Sequence, residues 1–174
     1  MTFSFLKPAL LVTTLTLAAC SQGGLNGADA DGAGTGAGAG AGGIGAGGVG
    51  DPTSPAYFNE VVGDRILFAV DQSTLSSEAQ GVLAGQAQWL LSNPEFTALI
   101  EGHADEQGTR EYNLALGARR AAAVREYLVS QGVPDSRLRT ISYGKERPIQ
   151  ICSTEACYSQ NRRAVTVISA GLGA

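Results

Sequence analysis

The sequence predicts an α/β sandwich (α+β) in which helices cover one face of a four-stranded mixed sheet. Two observations carry that prediction. Four short apolar runs, at 66–70, 97–102, 138–143 and 164–169, have strand length. Two longer segments, at 75–91 and 109–131, stand between them and repeat apolar residues at helical spacing. With a helical turn at 154–161, the order is β-α-β-α-β-(α)-β, which builds a layered domain with one core.

The elements follow in chain order. Ile66 to Val70 is the first strand, with Asp71 at its end. The helix after it takes Ser76 or Ser77 as N-cap, places Leu83, Ala87 and Leu90 on one face, and is stopped by Pro94. The second strand ends at Gly102. The long helix is capped by Thr109 or Gly108 and ended by Gly132, with Pro134 just beyond. Leu114, Ala121, Val124 and Leu128 are its expected apolar stripe.

Outside this domain, at 51–174, the composition changes. Fourteen of the 24 glycines lie between 23 and 50. Such a Gly/Ala segment cannot bury a core and reads as a disordered linker over 20–50. Its 28 residues from 23 to 50 would average about 30 Å end to end. Residues 1–19 have the layout of an export signal: Lys7, an apolar run broken by Thr13, Thr14 and Thr16, then Ala18 and Ala19. The run falls short of the roughly 18 apolar residues of a spanning helix. Leu17-Ala18-Ala19-Cys20 resembles the bacterial lipobox, which implies that Cys20 becomes a lipidated N-terminus. Ser21 in place of Asp favours the outer membrane of a Gram-negative cell, with the domain in the periplasm.

Charge and residue inventory exclude several functions. Twelve basic and 16 acidic side chains give a net charge of −4, which argues against nucleic acid as a partner. His103 is the single histidine, so the ligands of a catalytic zinc are lacking, and no Gly-x-Ser-x-Gly elbow is present. His103 reads as a packed, hydrogen-bonded residue. Asp105 and Glu106 are adjacent and should point apart in a solvated loop. No enzyme activity, metal or cofactor is expected. With Cys20 lipidated, Cys152 and Cys157 remain as an even pair, and an oxidising compartment would join them in a disulfide.

One constellation suggests a ligand. Asp105 follows the second strand, and sites in α/β sheets favour carboxyl ends of strands. Asn113, Leu116 and Arg120 sit at i, i+3 and i+7 of the long helix. Asn113 and Arg120 therefore lie within about 20° of each other and about 10 Å apart along the axis. The expectation is one polar stripe, on a different face from Leu114 and Val124. An acid at the helix entry and an arginine two turns in suit a zwitterion, the planar guanidinium taking its carboxylate.

Three stretches sharpen this: GHADEQGTREYNLALGARRA at 102–121, SYGKERP at 142–148 and QNRRAV at 160–165. Together they resemble the OmpA-like peptidoglycan-binding domains, over roughly 58–168. The resemblance implies non-covalent binding of the diaminopimelate-containing stem peptide of peptidoglycan. It implies that Asp105 holds the diaminopimelate ammonium and Arg120 its carboxylate. Asp71, Asn113 and Leu116 would add contacts, and Arg162 and Arg163 would be structural or groove-lining. Ala69, Gln107 and Ala122 depart from the usual family residues. The lipobox and leash narrow the resemblance to the family's lipoproteins. That implies an outer-membrane tether to the wall, with TolB as a partner in the Tol envelope and cell-division system. A generic wall-binding lipoprotein outside that system is the alternative, and a peptidoglycan hydrolase is the rival from another class.

Overall fold

The computed structural model describes residues 47–171. The signal at 1–19, the lipidation site Cys20 and most of the expected linker lie outside the described residues.

The chain enters through a segment the sequence reading did not anticipate. Ser54 accepts from the Tyr57 amide and Pro55 sits in the first turn, so a short helix, α1 (Pro55–Tyr57), forms and widens into a π-helical turn, Phe58–Gly63. Phe58 is fully buried and its ring lies 4.9 Å from that of Trp89, which in turn lies 5.0 Å from Phe96. Trp89 Nε1 donates to the Pro52 carbonyl at 2.7 Å, tying this segment to the core.

Strand β1 (Arg65–Leu67) is three residues long, shorter than the 66–70 expected. Its ladder runs out because Leu67 already pairs with Arg163, the first residue of the strand β4 (Arg163–Ala170). Beyond it the chain makes one more bond, from the Phe68 amide to the Arg162 carbonyl, and leaves the sheet. Asp71 then adopts a left-handed backbone, φ 57°, which is uncommon for a residue other than glycine.

Helix α2 (Ser77–Ser92) is capped by Ser76, whose Oγ accepts from the Ala79 amide. Its end is held from afar: Arg137 donates to the carbonyls of Leu90 and of the C-cap Asn93, and also to that of Phe96, where the next strand begins. That is one planar cation closing a helix end. Strand β2 (Phe96–His103) lies inside the sheet, parallel to β3 (Leu138–Gly144) and antiparallel to β4, in the order β1-β4-β2-β3. The expected four-stranded mixed sheet and its connectivity are thus present.

Helix α3 (Arg110–Ser130) is capped by Thr109 and ends at Gly132, φ 97°. Leu114 does not belong to its stripe: it is 49% exposed, while Ala121, Val124 and Leu128 are buried. The polar residues also do not occupy a separate face. Asn113, Leu116 and Arg120 are buried on the same side as Val124. Eleven residues separate Asn113 from Val124, about three full turns plus 20°, so the two share a face. That face is polar where it overhangs the end of the sheet and apolar where it covers the core.

Two glycines set how close α3 comes. A Cβ on Gly102 would overlap the Gly117 carbonyl, and one on Gly117 would collide with Ser142 Oγ. Only hydrogen fits at this crossing of β2 and α3. Ser142 Oγ uses the proximity to donate to the Leu114 carbonyl at 2.7 Å. The β2–β3 register shifts between Gly102 and His103, so the chain leaves the ladder where the loop carrying Asp105 begins. The expected helical turn is α4 (Glu155–Asn161), and a disulfide joins Cys152 to Cys157, Cα atoms 5.9 Å apart.

Candidate functional site

At the carboxyl end of β2 lies a cleft of about 280 Å³, walled by the start of α3, the Asp71 turn and Arg162. Asp71, Asp105, Asn113, Leu116 and Arg120, the five residues expected at a ligand site, all line it. Asn113 is buried and its Nδ2 donates to the Gln107 carbonyl at 2.7 Å, pinning the loop over the helix entry. Asp105 is 8% exposed, so its loop is not the solvated one expected. One of its oxygens accepts from the Gln107 amide at 3.2 Å. Glu106 turns the other way and accepts from Asn161 Nδ2 at 2.7 Å, so the two acids do point apart.

Arg120 is fully buried. Its Nε donates to the Gln72 carbonyl at 2.8 Å, Nη1 to His103 at 2.7 Å and Nη2 to Ala69 at 3.2 Å, and the guanidinium stands 5.1 Å from the Phe68 ring centroid. A guanidinium carries five N–H groups, so these carbonyls leave two of them unused. Burial pulls its pKa down to about 10, against the pull of Asp105, and it stays charged at neutral pH. Arg120 is thus a structural clasp on three carbonyls as well as a cation in the cleft, a double role that spacing did not disclose.

The direct partner of Asp105 is Arg162, Nη1 to Oδ2 at 3.1 Å. Arg162 is 4% exposed, donates through Nε to the Phe68 carbonyl at 3.2 Å, and engages both carboxylate oxygens of Glu155. The Glu155 bond and Asp105 raise its pKa further. Sequence reasoning placed Arg162 only as structural or groove-lining; the QNRRAV run was the signal, but nothing local reveals its partner. Tyr112 was missed too: its hydroxyl donates to Asp71 at the cleft rim, which raises the tyrosine pKa.

His103 is buried, but its ring is not hydrogen-bonded as expected. Neither nitrogen has a hydrogen-bond partner; Glu101 lies 3.5 Å from Nε2 and the Tyr143 ring centroid 5.5 Å away. Burial, then Arg163 and two further arginines, lower its pKa to about 4, so the ring is neutral at pH 7. Its contribution to the site is its carbonyl, held by Arg120.

A larger depression, about 530 Å³, lies between the π-helical turn and α2. Its walls include Val61, Val62, Val82 and Trp89 and no acidic or basic side chain, so it offers nothing to a charged ligand. Among the described residues no group of three His, Cys, Asp or Glu could hold a metal, and no helix is long and apolar enough to cross a membrane.

Fold and cleft together define a small α/β domain with a two-signed polar site at a strand end. Residues 67–162 match the model of the OmpA family. The chain belongs to that family. It is 54% identical over 158 residues to the peptidoglycan-associated lipoprotein of Rhizobium meliloti (strain 1021), covering 91% of this chain and 84% of that protein. It is 40% identical over 171 residues to the peptidoglycan-associated lipoprotein of Legionella pneumophila, covering 96% and 97%. The crystal structure of the peptidoglycan-associated lipoprotein from Burkholderia pseudomallei superposes with a TM-score of 0.62 at 40% identity, over 70% of this chain and 98% of that one. The C-terminal domain of Helicobacter pylori MotB shares the fold, TM-score 0.58 at 20% identity, over 63% and 86%.

Proposed function

We propose that the protein is a non-enzymatic anchor that grips the diaminopimelate-containing stem of peptidoglycan in this cleft. The observation that carries the reading is the pairing of signs in one small space: Asp105 beside Arg120 and Arg162, all buried. The free end of diaminopimelate carries an ammonium and a carboxylate. Asp105 takes the first, and the N–H groups that Arg120 has left take the second. The names of the relatives from Rhizobium meliloti and Legionella pneumophila, which associate those proteins with peptidoglycan, support the same ligand.

Lipid on Cys20 holds one end in the outer membrane, and the Gly/Ala linker reaches toward the wall. Binding is non-covalent, so the tether can release and re-engage. TolB of the Tol system is the proposed protein partner.

Calorimetric titration of the full-length protein with a diaminopimelate muropeptide, and with its lysine counterpart, tests the cleft. Saturable binding with preference for diaminopimelate is expected. A folded protein that binds neither would sink the wall-anchor mechanism and leave partner-protein binding as the lead. Co-purification with TolB tests the partner separately.

A further inference from the structure

Asp105 can hold an ammonium only if its own charge is not already cancelled. Arg162, at 3.1 Å, would cancel it. Glu155 changes that balance. Both of its oxygens engage Arg162, one at 3.4 Å from Nη1 and the other on Nη2. Asp105, Arg162 and Glu155 together carry one net negative charge; without Glu155 they carry none. The pair is not an ordinary surface bridge, because Arg162 is 5% exposed by side chain although Glu155 is 65% exposed.

Glu155 is itself held in an unusual way. It opens α4, a helix of seven residues whose N-cap, Thr154, makes no side-chain capping bond. Thr154 Oγ1 lies instead 3.2 Å from Cys152 Sγ. So short a helix has little stability of its own. The preceding segment is tied down at Ile149 and Gln150, whose amides donate to Asn161 Oδ1, but Ile151, next to the loop, is 91% exposed. The Cys152–Cys157 disulfide closes this turn beside the bonds from the Cys157 and Tyr158 amides to the Thr154 carbonyl, and Glu155 lies inside its loop.

We infer that Glu155, fixed by the disulfide loop, is a positioning residue that makes the cleft selective for a ligand carrying a free ammonium. It does so by drawing the charge of Arg162 away from Asp105. The inference rests on the cleft being the site of a zwitterionic stem peptide.

The test uses full-length protein and two ligands: the diaminopimelate muropeptide, and the same muropeptide acetylated on the free diaminopimelate amine. The parent is expected to prefer the free amine. In Glu155→Gln that preference falls by about tenfold, the scale of a lost charge-assisted contact, while affinity for the acetylated ligand stays unchanged. Glu155→Asp keeps most of the preference. A Cys152→Ser/Cys157→Ser variant, verified as folded by circular dichroism, loses it in the same direction. Undiminished preference in Glu155→Gln overturns the inference and leaves the cleft reading standing. Undiminished preference in the cysteine variant overturns the part given to the disulfide. A parent that binds neither ligand removes the inference and the cleft reading together.

Discussion

Asp105 and Arg162 stand 57 positions apart and meet at 3.1 Å in the cleft, both nearly closed to solvent. One residue follows the second strand and the other precedes the fourth. Their encounter joins the loop over α3 to the sheet, so the ion pair is part of the fold as well as part of the site.

Removing one partner should therefore cost more than an exposed pair would. Arg162→Met leaves Asp105 buried without its counter-charge, and a loss of about 3 kcal/mol is expected. Urea unfolding measures it. Adding Asp105→Asn to Arg162→Met should recover part of the loss, and additive single effects would argue that the two do not interact.

Arg120→Lys should destabilise by about 2–3 kcal/mol, because an ammonium cannot reach the carbonyls of Ala69, Gln72 and His103 in the geometry of a planar fork. Guanidinium unfolding midpoints test this. A variant as stable as the parent would mean the three bonds are dispensable. The expectation also bears on binding assays, since any Arg120 variant must be shown to be folded before lost affinity is assigned to the cleft.

Gly102→Ala should destabilise by about 3 kcal/mol, since the new methyl meets the Gly117 carbonyl, which is backbone and cannot rotate away. Thermal unfolding gives the comparison. Gly81→Ala on α2, where an added Cβ meets nothing, is the control and should be neutral or slightly stabilising.

His103 should make the domain lose stability in mild acid. Its folded pKa is about 4, below the ordinary 6.5. Above pH 6.5 the ring is neutral whether folded or not, and nothing is lost. As pH falls from 6.5 to 4 the unfolded chain takes up a proton that the folded one refuses. Stability drops through that window by about 3 kcal/mol in full. His103→Phe should flatten the profile relative to the parent over the same window, because neither ring nitrogen has a hydrogen bond to lose. Urea midpoints at pH 7, 5.5 and 4.5 decide it; parallel profiles would show that His103 does not titrate as described.

Local features can be read from the chain alone. Ser76 and Thr109 announce their helices by side-chain caps, and Gly132 ends α3 through a left-handed turn. The strands stand out by length and composition. The five cleft residues were legible because Asn113, Leu116 and Arg120 fall on one helical stripe, Asp105 follows a strand end and the family resemblance adds Asp71.

Other features depend on residues that are distant in the chain and come together only on packing. β1 stops at Leu67 because β4 begins at Arg163. Leu114 is turned outward although its spacing suits the core. Arg120 spends three donors on carbonyls 17 to 51 positions away, and Asp105 finds Arg162 rather than a neighbour. Helices, caps and turns leave a signature within a few residues because their hydrogen bonds close over three or four positions, and a strand leaves one through the alternation of its side chains, although its bonds reach far along the chain. A buried ion pair or an arginine clasp has no such period; its partners are chosen by how the layers pack.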